Sequence, residues 1–317
     1  MPRALITGIT GQDGWYLSQL LNADGYEVFG LALASDHVPE PPDTTRIVGD
    51  VRDADSVRSV LNQCEPDEVY NLASISSVGA SWQQPELAAD INGLGALRIL
   101  AAIREIEQSS GRQIRFVQAS SAEIFGDAAP PQNEQTPVVP VSPYGAAKAF
   151  AHHAVSAYRA AGGFAAAAIL FNHESPRRPE QFVTRKITRA VARIASGSDE
   201  KLVLGNMDAR RDWGYAADYM RAMAAIARQQ TPSDFVIATG VCHTVREFVA
   251  TAFAHVGIAD WESLVTTDAA LERAADASEQ RGDATKAREV LGWAPTVGFA
   301  ELVGLMVDAD LAEFASA

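Results

Sequence analysis

Residues 3–14, which read Arg3-Ala-Leu-Ile-Thr7-Gly8-Ile-Thr-Gly11-Gln-Asp-Gly14, decide the fold of this 317-residue chain. A short apolar strand leads into a turn with the spacing GxxGxxG, and a helical pattern follows. Glycines at this spacing let the backbone turn tightly and approach a pyrophosphate, which then rests on the helix N-terminus. Such turns also occur as packing devices, so the segment alone predicts a strand, a turn and a helix and only favours a dinucleotide site.

Beyond this segment, strand-like and helix-like patterns alternate. An apolar strand at residues 68–73 is followed by a helical pattern from Leu87 to Ile106 and by a second strand at residues 115–119. Alternation of this kind indicates βαβ units. We therefore predict an α/β fold, a Rossmann-like doubly wound parallel sheet with a smaller C-terminal α/β substrate lobe. Residues 1–171 form the expected NAD(P)-binding domain and residues 172–317 the second lobe, with some later segments returning to the first.

A tyrosine and a lysine lie one helical turn apart in the run Ser142-Pro-Tyr-Gly-Ala-Ala-Lys148. Residues four apart share one face of a helix, so the Lys148 ammonium is expected to lower the pKa of the Tyr144 phenol. A tyrosinate in that position can take a proton from a hydroxyl while hydride leaves the same carbon for a nicotinamide. Ser121 and Glu123 lie about twenty residues upstream. The pair alone is more often a surface pair, but its order after the glycine-rich turn favours catalysis.

The net charge of −14 argues against a nucleic-acid-binding surface. Residues 177–211 nevertheless carry nine basic side chains against four acidic ones, which suggests a focused site for a small anion. Lys186 and Arg211 are the candidates for contacting phosphates. Three further arginines recur every four residues and are predicted to form a solvated helix face: Arg185, Arg189 and Arg193.

The two cysteines, Cys64 and Cys242, are too few for a disulfide framework, and no zinc-binding spacing is present. The chain enters its first strand at once, without a leader pattern, and no apolar run reaches the length of a membrane span. We therefore expect a cytoplasmic protein with neither a metal site nor a membrane partner.

Longer motifs are more specific than these single signals. Over essentially its whole length the chain resembles the extended short-chain dehydrogenase/reductases, and within them the GDP-mannose 4,6-dehydratase family. The segments that carry the resemblance are TGITGQDGWYL, EVYNLAS, QQPELAADINGLGALRIL, ILFNHESPRR with FVTRKI, LGNMDARRDWGYAADYMRAM and GDATKAREVLGW.

The resemblance implies a redox-neutral dehydration of a GDP-sugar and a role for each site residue. Tyr144 accepts the proton of the C4 hydroxyl, Lys148 supports it, Ser121 holds the oxygen and Glu123 removes the C5 proton. The implied cofactor-binding residues are Gly8, Thr10, Gly11, Gln12, Asp13, Gly14, Asp50, Val51, Leu72 and Ala73, with Tyr144 and Lys148. The implied substrate-binding residues are Asn172, Val183, Lys186, Leu204, Gly205, Asn206, Arg211 and Arg273.

Several positions depart from the family pattern. Ala122 replaces a serine, so Glu123 or a water must protonate the departing C6 oxygen, and Ile75 and Ser77 replace polar residues near the sugar. The paired arginines that grip the 2′-phosphate of NADP in the family fall at Leu33 and Ala34. Position 32, where an acidic residue could bind the 2′-hydroxyl of NAD, is an alanine. The choice between NADP and NAD therefore stays open.

Two alternatives to dehydration remain at this point. The departures at Ala122, Ile75 and Ser77 would suit a GDP-sugar C4 reductase or an epimerase, and a cofactor-holding binder without turnover is a third reading. Glu123 favours elimination, although a surface or capping glutamate is its plainer reading. A shorter loop after the second strand favours a homodimer over a tetramer, formed through helices at residues 87–107 and 144–161.

Overall fold

The computed structural model describes residues 1–271 and 279–315. Within these ranges, no helix combines the length and apolar character that a membrane span requires. The first half of the chain contains, in order, β1 Arg3–Thr7, α1 Gln12–Ala23, β2 Glu27–Ala32, β3 Thr44–Val48, α2 Ala54–Cys64, β4 Glu68–Asn71, α3 Val78–Gln83, α4 Pro85–Ala89, a π-helical turn Asp90–Leu94, α5 Gly95–Ser110, β5 Arg115–Ser121, a 3-10 turn Ala122–Phe125, α6 Pro143–Ala160 and β6 Ala165–Leu170.

The second half begins with a short strand directly after β6. Its elements are β7 Asn172–Glu174, α7 Val183–Ala195, β8 Leu202–Leu204, β9 Arg210–Tyr215, α8 Ala216–Ala227, β10 Phe235–Ile237, β11 Cys242–Thr244, α9 Val245–His255, a 3-10 turn Glu262–Leu264, β12 Val265–Thr267, a 3-10 turn Ala269–Leu271, β13 Glu279–Gln280, α10 Thr285–Leu291 and α11 Phe299–Ala315.

The main sheet is parallel, with its described strands in the spatial order β3-β2-β1-β4-β5-β6-β10. This is the order of a dinucleotide-binding doubly wound fold extended by one strand. The smaller lobe holds β9 with β7, β11 and β13 around it, and a separate pair of β8 and β12. The predicted fold class is confirmed. Because β10 comes after residue 171 in the chain, part of the second region joins the main sheet, as expected. The assignment of the cofactor to the first region and of the substrate to the second stays a prediction.

Alternating side chains of β1 show why the centre of the strand is apolar at successive positions. Ala4 and Ile6 pack in a core with α1 and α8, and Leu5 packs in a second core with α2 and α5. Successive side chains of a strand point to opposite faces, so a sheet covered by helices on both sides needs apolar residues at every position. The unbroken alanines of β6 are buried for the same reason.

The third core lies in the smaller lobe, between α7, α9 and α11. Here the predicted solvated face of α7 is wrong for Arg185 and Arg189, whereas the side chain of Arg193 is 37% exposed. The Arg185 guanidinium is 2.8 Å from the carboxylate of Asp310, and the side chains of these two residues are 8% and 0% exposed. Arg189 pairs with Glu313 at 2.9 Å. The arginines therefore join α7 to α11 through ion pairs, a partnership between distant segments that four-residue periodicity cannot reveal.

The predicted helix from Leu87 to Ile106 is interrupted. It begins earlier, at Pro85, and passes through the π-helical turn Asp90–Leu94 before α5. Within this turn the buried Asn92 accepts a hydrogen bond from the backbone N–H of Ile75 at 2.8 Å and donates to its carbonyl at 3.1 Å. The π turn thereby fixes the segment that follows β4. π turns within α-helices are frequently found at functional sites.

Candidate active site

The glycine-rich turn connects β1 to α1 at the carboxyl end of the sheet. Gly8 has a φ of +69°, and a Cβ there would lie 3.0 Å from the backbone of Ala73. A Cβ on Gly14 would lie 2.5 Å from the carbonyl oxygen of Ile9. Gly11 begins α1 without a side-chain cap. Side chains are thus excluded from the turn, and the uncapped N–H groups of the first helical turn suit an anionic pyrophosphate.

A buried chain of polar side chains crosses the strand ends beneath this turn. Thr7 donates to the Asn71 side chain at 2.6 Å, and Asn71 donates to the Gln118 side chain at 2.8 Å. Gln118 then donates to the carbonyl oxygen of Ala119 at 2.9 Å. The same carbonyl accepts a 2.9 Å hydrogen bond from the Lys148 ammonium. The chain therefore links the glycine-rich turn to the predicted catalytic lysine through three neighbouring strands.

The other predicted cofactor residues surround the turn in different ways. The backbone N–H groups of Leu72 and Ala73 donate to the Thr7 hydroxyl at 3.1 and 3.0 Å, which holds the end of β4 beside the turn. Asp50 accepts from Arg52 at 2.6 Å. Two further contacts complete the set: Val51 is buried against Gly95, and the Thr10 hydroxyl donates to Asp36 at 2.5 Å.

Gln12 and Asp13 turn their side chains toward the crossing segment after β6. Gln12 donates to the His173 carbonyl at 3.1 Å and accepts from Ser175 at 2.8 Å. His173 donates from Nδ1 to the Phe171 carbonyl at 2.7 Å and from Nε2 to the Asp13 carboxylate at 3.0 Å. An acceptor at each ring nitrogen favours the doubly protonated imidazole.

The buried Asp13 and His173 hold each other in their charged forms. Burial alone would raise the pKa of Asp13, but the charge and hydrogen bond of His173 outweigh it and the pKa is lowered. Burial likewise opposes the charged His173, and the Asp13 carboxylate outweighs it, so the pKa of His173 is raised. Sequence reasoning missed His173 and Ser175, because nothing local indicates that they meet the glycine-rich turn.

Helix α6 carries Tyr144 and Lys148 into the site from the opposite side. Ser142 caps the helix by accepting from the N–H of Gly145 at 3.0 Å. A Cβ on Gly145 would lie 2.6 Å from the carbonyl oxygen of Glu123, so this glycine lets the helix approach the 3-10 turn closely. The approach brings Tyr144, Ser121 and Glu123 together at one place.

Tyr144 is buried, and burial raises the pKa of its phenol to about 12. A hydrogen bond with Ser121 opposes this rise, and the negative charge of Glu123 adds to it. The expectation that Lys148 lowers this pKa is wrong for this structure. The Lys148 ammonium lies 5.7 Å from the centre of the Tyr144 ring and donates to the Ala119 carbonyl instead.

Burial has the reverse effect on the cation of Lys148. Its pKa is lowered to about 8, because the charged ammonium loses its hydration, and the Asp13 carboxylate opposes this only in part. The buried site thus disfavours charge on both members of the predicted pair. A group whose pKa lies near the working pH is typical of an acid-base site.

Glu123 does not behave as the capping or surface residue that its plainer reading predicts. One carboxylate oxygen accepts a 3.2 Å hydrogen bond from the side-chain amide of Gln280 on β13. Its backbone N–H donates to the Ser121 hydroxyl at 3.2 Å. Glu123 therefore bridges the main sheet and the sheet of the smaller lobe. Its neighbour Ala122 is buried in the first core.

The predicted substrate residues lie on the smaller lobe. Asn172 on β7 pairs with Trp213 on β9, and Arg211 of β9 pairs with Gln280 on β13, so both polar side chains belong to adjoining strands. The remaining described members are Val183 and Lys186 on α7, Leu204 on β8, and Gly205 and Asn206 after it. Leu204 is buried in the third core, while Arg273 lies outside the described residues.

Asp212, next to Arg211, fixes the loops around these strands. Its carboxylate accepts from the backbone N–H groups of Thr239 at 2.9 Å, Gly240 at 2.8 Å and Gly282 at 3.3 Å. Burial raises its pKa, and these hydrogen bonds oppose the rise. Asp212 thus holds the loops that flank β9 in place.

Comparisons with known proteins agree with this geometry. A sequence model of the family described as GDP-mannose 4,6 dehydratase matches residues 5–306. GDP-mannose 4,6 dehydratase 1 of Arabidopsis thaliana is 48% identical, over 97% of this chain and 89% of its own length. The GDP-mannose 4,6 dehydratase of Homo sapiens is 42% identical, over 97% of this chain and 91% of its own. Among solved structures, the UDP-glucose 4-epimerase of Thermus thermophilus in complex with NAD has a TM-score of 0.85 at 27% identity, covering 97% of this chain and 98% of its own.

The burial of Lys148 predicts a stability that depends on pH. Below about pH 8 the ammonium is charged in folded and unfolded chains, and the folded state bears the full desolvation cost; the cost disappears as the pH rises toward the unfolded pKa. Lys148→Met keeps the volume, and Gln118 still satisfies the Ala119 carbonyl. We expect the variant to gain on the order of 2–3 kcal/mol in free energy of unfolding at pH 7, and much less at pH 10.

Urea unfolding at the two pH values measures this difference. Lys201→Met, at an exposed lysine, is the matched control and should change stability by less than about 0.5 kcal/mol. A Lys148→Met protein that is less stable than the wild type at pH 7, or whose gain is the same at pH 10, would contradict the desolvation argument.

Proposed function

The chain belongs to the GDP-mannose 4,6-dehydratase family, and on that basis we propose that it converts GDP-mannose into GDP-4-keto-6-deoxymannose and water. The observation that carries the proposal is the meeting of Ser121, Glu123 and Tyr144 at one place, with Lys148 on the same helix. The enzyme is an NAD(P)-dependent lyase.

The residues of the turn fit such a dinucleotide. Gly8 and Gly14 leave room where side chains would collide, and the uncapped first turn of α1, which follows Gly11, offers N–H groups to the pyrophosphate. A bound NAD(P) would supply a hydride acceptor for C4 of the sugar and the hydride donor for C6, and the positive charge of an oxidised nicotinamide would favour anionic groups nearby.

The protein's own residues move the protons. Tyr144 takes the proton of the C4 hydroxyl, and Ser121 holds that oxygen by a hydrogen bond. The ketone formed at C4 acidifies the C5 hydrogen, which Glu123 removes. The C6 hydroxyl then leaves as water, and as hydride is added at C6 the C5 carbon takes up a proton from Tyr144 or from solvent, so that Tyr144 and Glu123 return to their starting states. Since Ala122 has no hydroxyl and packs in the core, the proton for this water comes from Glu123 or from solvent.

We assign the substrate's diphosphate to the smaller lobe. Asn172, Lys186 and Arg211 supply hydrogen-bond donors and positive charge, and the planar guanidinium of Arg211 allows two parallel hydrogen bonds to one phosphate. We propose that the other residues predicted to bind the substrate also contact the GDP-sugar. A C4 reductase or an epimerase is not favoured, because neither requires Glu123 beside the tyrosine.

We also propose that the enzyme forms a homodimer through α5, α6 and the π-helical turn. Three apolar side chains there are exposed although the helices pack together: Leu94 by 41%, Leu97 by 42% and Phe150 by 45%. A Cβ on Gly93 would lie 3.3 Å from the Phe150 ring, so these side chains belong to one face. A cluster of exposed apolar side chains marks an interaction surface.

The free buried thiols of Cys64 and Cys242 suit a reducing compartment such as the cytoplasm.

Incubation with GDP-mannose tests the reaction. We expect a product lighter by one water in mass spectrometry, without net consumption of NAD or NADP. Tyr144→Phe should lower turnover roughly 100-fold or more while sparing the affinity for GDP-mannose. Unchanged substrate with both dinucleotides would reject the proposal, and stoichiometric use of a reduced dinucleotide with a 4-keto sugar would indicate a reductase.

Sedimentation velocity tests the dimer. Leu97→Glu places a charge in the exposed apolar face and should shift the protein from two chains to one. Leu305→Glu, at a residue of α11 that is 39% exposed, is the matched control and should leave the assembly unchanged. A wild type that sediments as a single chain, or a Leu97→Glu protein that keeps the wild-type mass, would rule this interface out.

A further inference from the structure

The region beside the glycine-rich turn carries an acid that sequence spacing did not identify. Asp36 follows β2 by four residues, and its carboxylate accepts a 2.5 Å hydrogen bond from Thr10 within the turn. Its second oxygen accepts from the N–H of Val38 at 3.0 Å. These two donors fix the carboxylate against the turn. The Thr10 hydrogen bond, the Val38 N–H and the nearby Arg46 together lower the pKa of Asp36, so the group is an anion near pH 7.

In the same stretch, no arginine or lysine side chain is placed to bind a phosphate group beside Asp36. Residues 32–50 contain four acids and one arginine. That arginine, Arg46, donates to the carbonyls of Leu33 and Asp36, both at 2.7 Å, and pairs with Glu40. Its guanidinium therefore holds the loop in place. The next arginine along the chain, Arg52, pairs with Asp50 at 2.6 Å.

We propose that the enzyme selects NAD over NADP, with Asp36 as the residue that determines the choice. In doubly wound folds the ribose of the adenosine is read at the end of the second strand, beside the glycine-rich turn. A fixed carboxylate there accepts hydrogen bonds from ribose hydroxyls and repels a 2′-phosphate, which carries the same sign of charge. The inference rests on the proposed function only in requiring that a dinucleotide binds.

Isothermal titration of the purified full-length protein with NAD and with NADP tests this choice. We expect NAD to bind at least about tenfold more tightly. Asp36→Asn keeps an oxygen to accept from Thr10 and Val38 but removes the charge, so it should bring the two affinities within about threefold of each other. Asp43→Asn removes a charge from the same loop without a contact to the turn, and it should keep the wild-type ratio.

The outcomes distinguish the failure of the selectivity from the failure of the proposed function. Tighter binding of NADP by the wild type, or an unchanged ratio in Asp36→Asn, overturns the selectivity while leaving the dehydratase proposal intact. Failure of both dinucleotides to bind overturns the selectivity and the proposed function together. Dehydration of GDP-mannose measured on the same preparation separates these cases.

A second observation concerns Gln280, the residue that contacts Glu123. Gln280 is 2% exposed, and its side-chain amide donates to the Glu123 carboxylate at 3.2 Å. A carboxylate only accepts hydrogen bonds, so the amide nitrogen must face it. The amide oxygen is then buried without a hydrogen-bond partner among the described residues. An apolar side chain would fill this space without leaving a buried polar atom unpaired. A requirement other than packing therefore explains the glutamine.

The backbone of Gln280 is held from two sides. β13 pairs with β9, and the Cys242 thiol donates to the Gln280 carbonyl at 3.1 Å. The next residue, Arg281, exchanges hydrogen bonds with Gln132: its N–H donates to the Gln132 side chain at 3.1 Å, and its carbonyl accepts from the Gln132 N–H at 2.9 Å. The amide therefore reaches Glu123 from a fixed support.

We infer that Gln280 is a positioning residue that aims the Glu123 carboxylate at the C5 hydrogen of the sugar. This inference depends on the role proposed for Glu123. Gln280→Met keeps the volume and removes the donor. We expect kcat to fall roughly 100-fold with little change in KM, because a misplaced base slows proton removal without weakening substrate binding.

The test separates the two halves of the reaction. With GDP-mannose deuterated at C5, the isotope effect on kcat should be larger for Gln280→Met than for the wild type, and reduced nicotinamide should accumulate during a single turnover. Arg281→Met, at the neighbouring residue that pairs with Glu279, is the matched control and should behave as the wild type. A parallel loss of both half-reactions, with an unchanged isotope effect, would reduce Gln280 to a structural role. Wild-type dehydration by Glu123→Gln would instead reject the proposed role of Glu123.

Discussion

The structure depends on a buried chain of hydrogen bonds that ties the carboxyl ends of β1, β4 and β5 together. The side chains of Thr7, Asn71 and Gln118 are joined by hydrogen bonds across the strands. The series ends at the Ala119 carbonyl, which accepts from both Gln118 and Lys148. Buried polar groups are costly unless each is satisfied, so such a chain permits one arrangement of its members. It sets the glycine-rich turn and α6, the helix that carries Tyr144 and Lys148, at a fixed separation.

The smaller lobe is attached to this frame by polar contacts of the same kind. The Asp13–His173 ion pair joins the glycine-rich turn to the crossing segment, and the hydrogen bond from Gln280 to Glu123 joins β13 to the 3-10 turn. Both contacts connect residues more than 150 positions apart in the chain. The glycine-rich turn and the 3-10 turn after β5 are therefore each joined to later parts of the chain by a polar contact at the candidate site.

Electrostatics in the site follows burial more than it follows sequence proximity. The spacing of Tyr144 and Lys148 suggests that the ammonium stabilises the phenolate, yet both groups are buried and each is pushed toward its neutral form. Arg185 shows the same limitation, since its periodic spacing suggests a solvated face and the structure buries it against Asp310. Periodicity reports which residues share a face, whereas desolvation depends on what that face is packed against.

The sequence by itself determined the parallel sheet and the glycine-rich turn, because these features follow from local periodicity and the steric needs of the backbone. Motif spacing, together with the family resemblance, identified Ser121, Glu123, Tyr144 and Lys148 as candidates. Only the tertiary structure decided which side chains reach the site from elsewhere. Asp36, His173 and Gln280 carry no local signal, since a hydrogen bond between distant segments depends on how the sheets and loops pack. The hydrogen bond of Asp36 with the glycine-rich turn and that of Gln280 with Glu123 are contacts that only the folded chain contains.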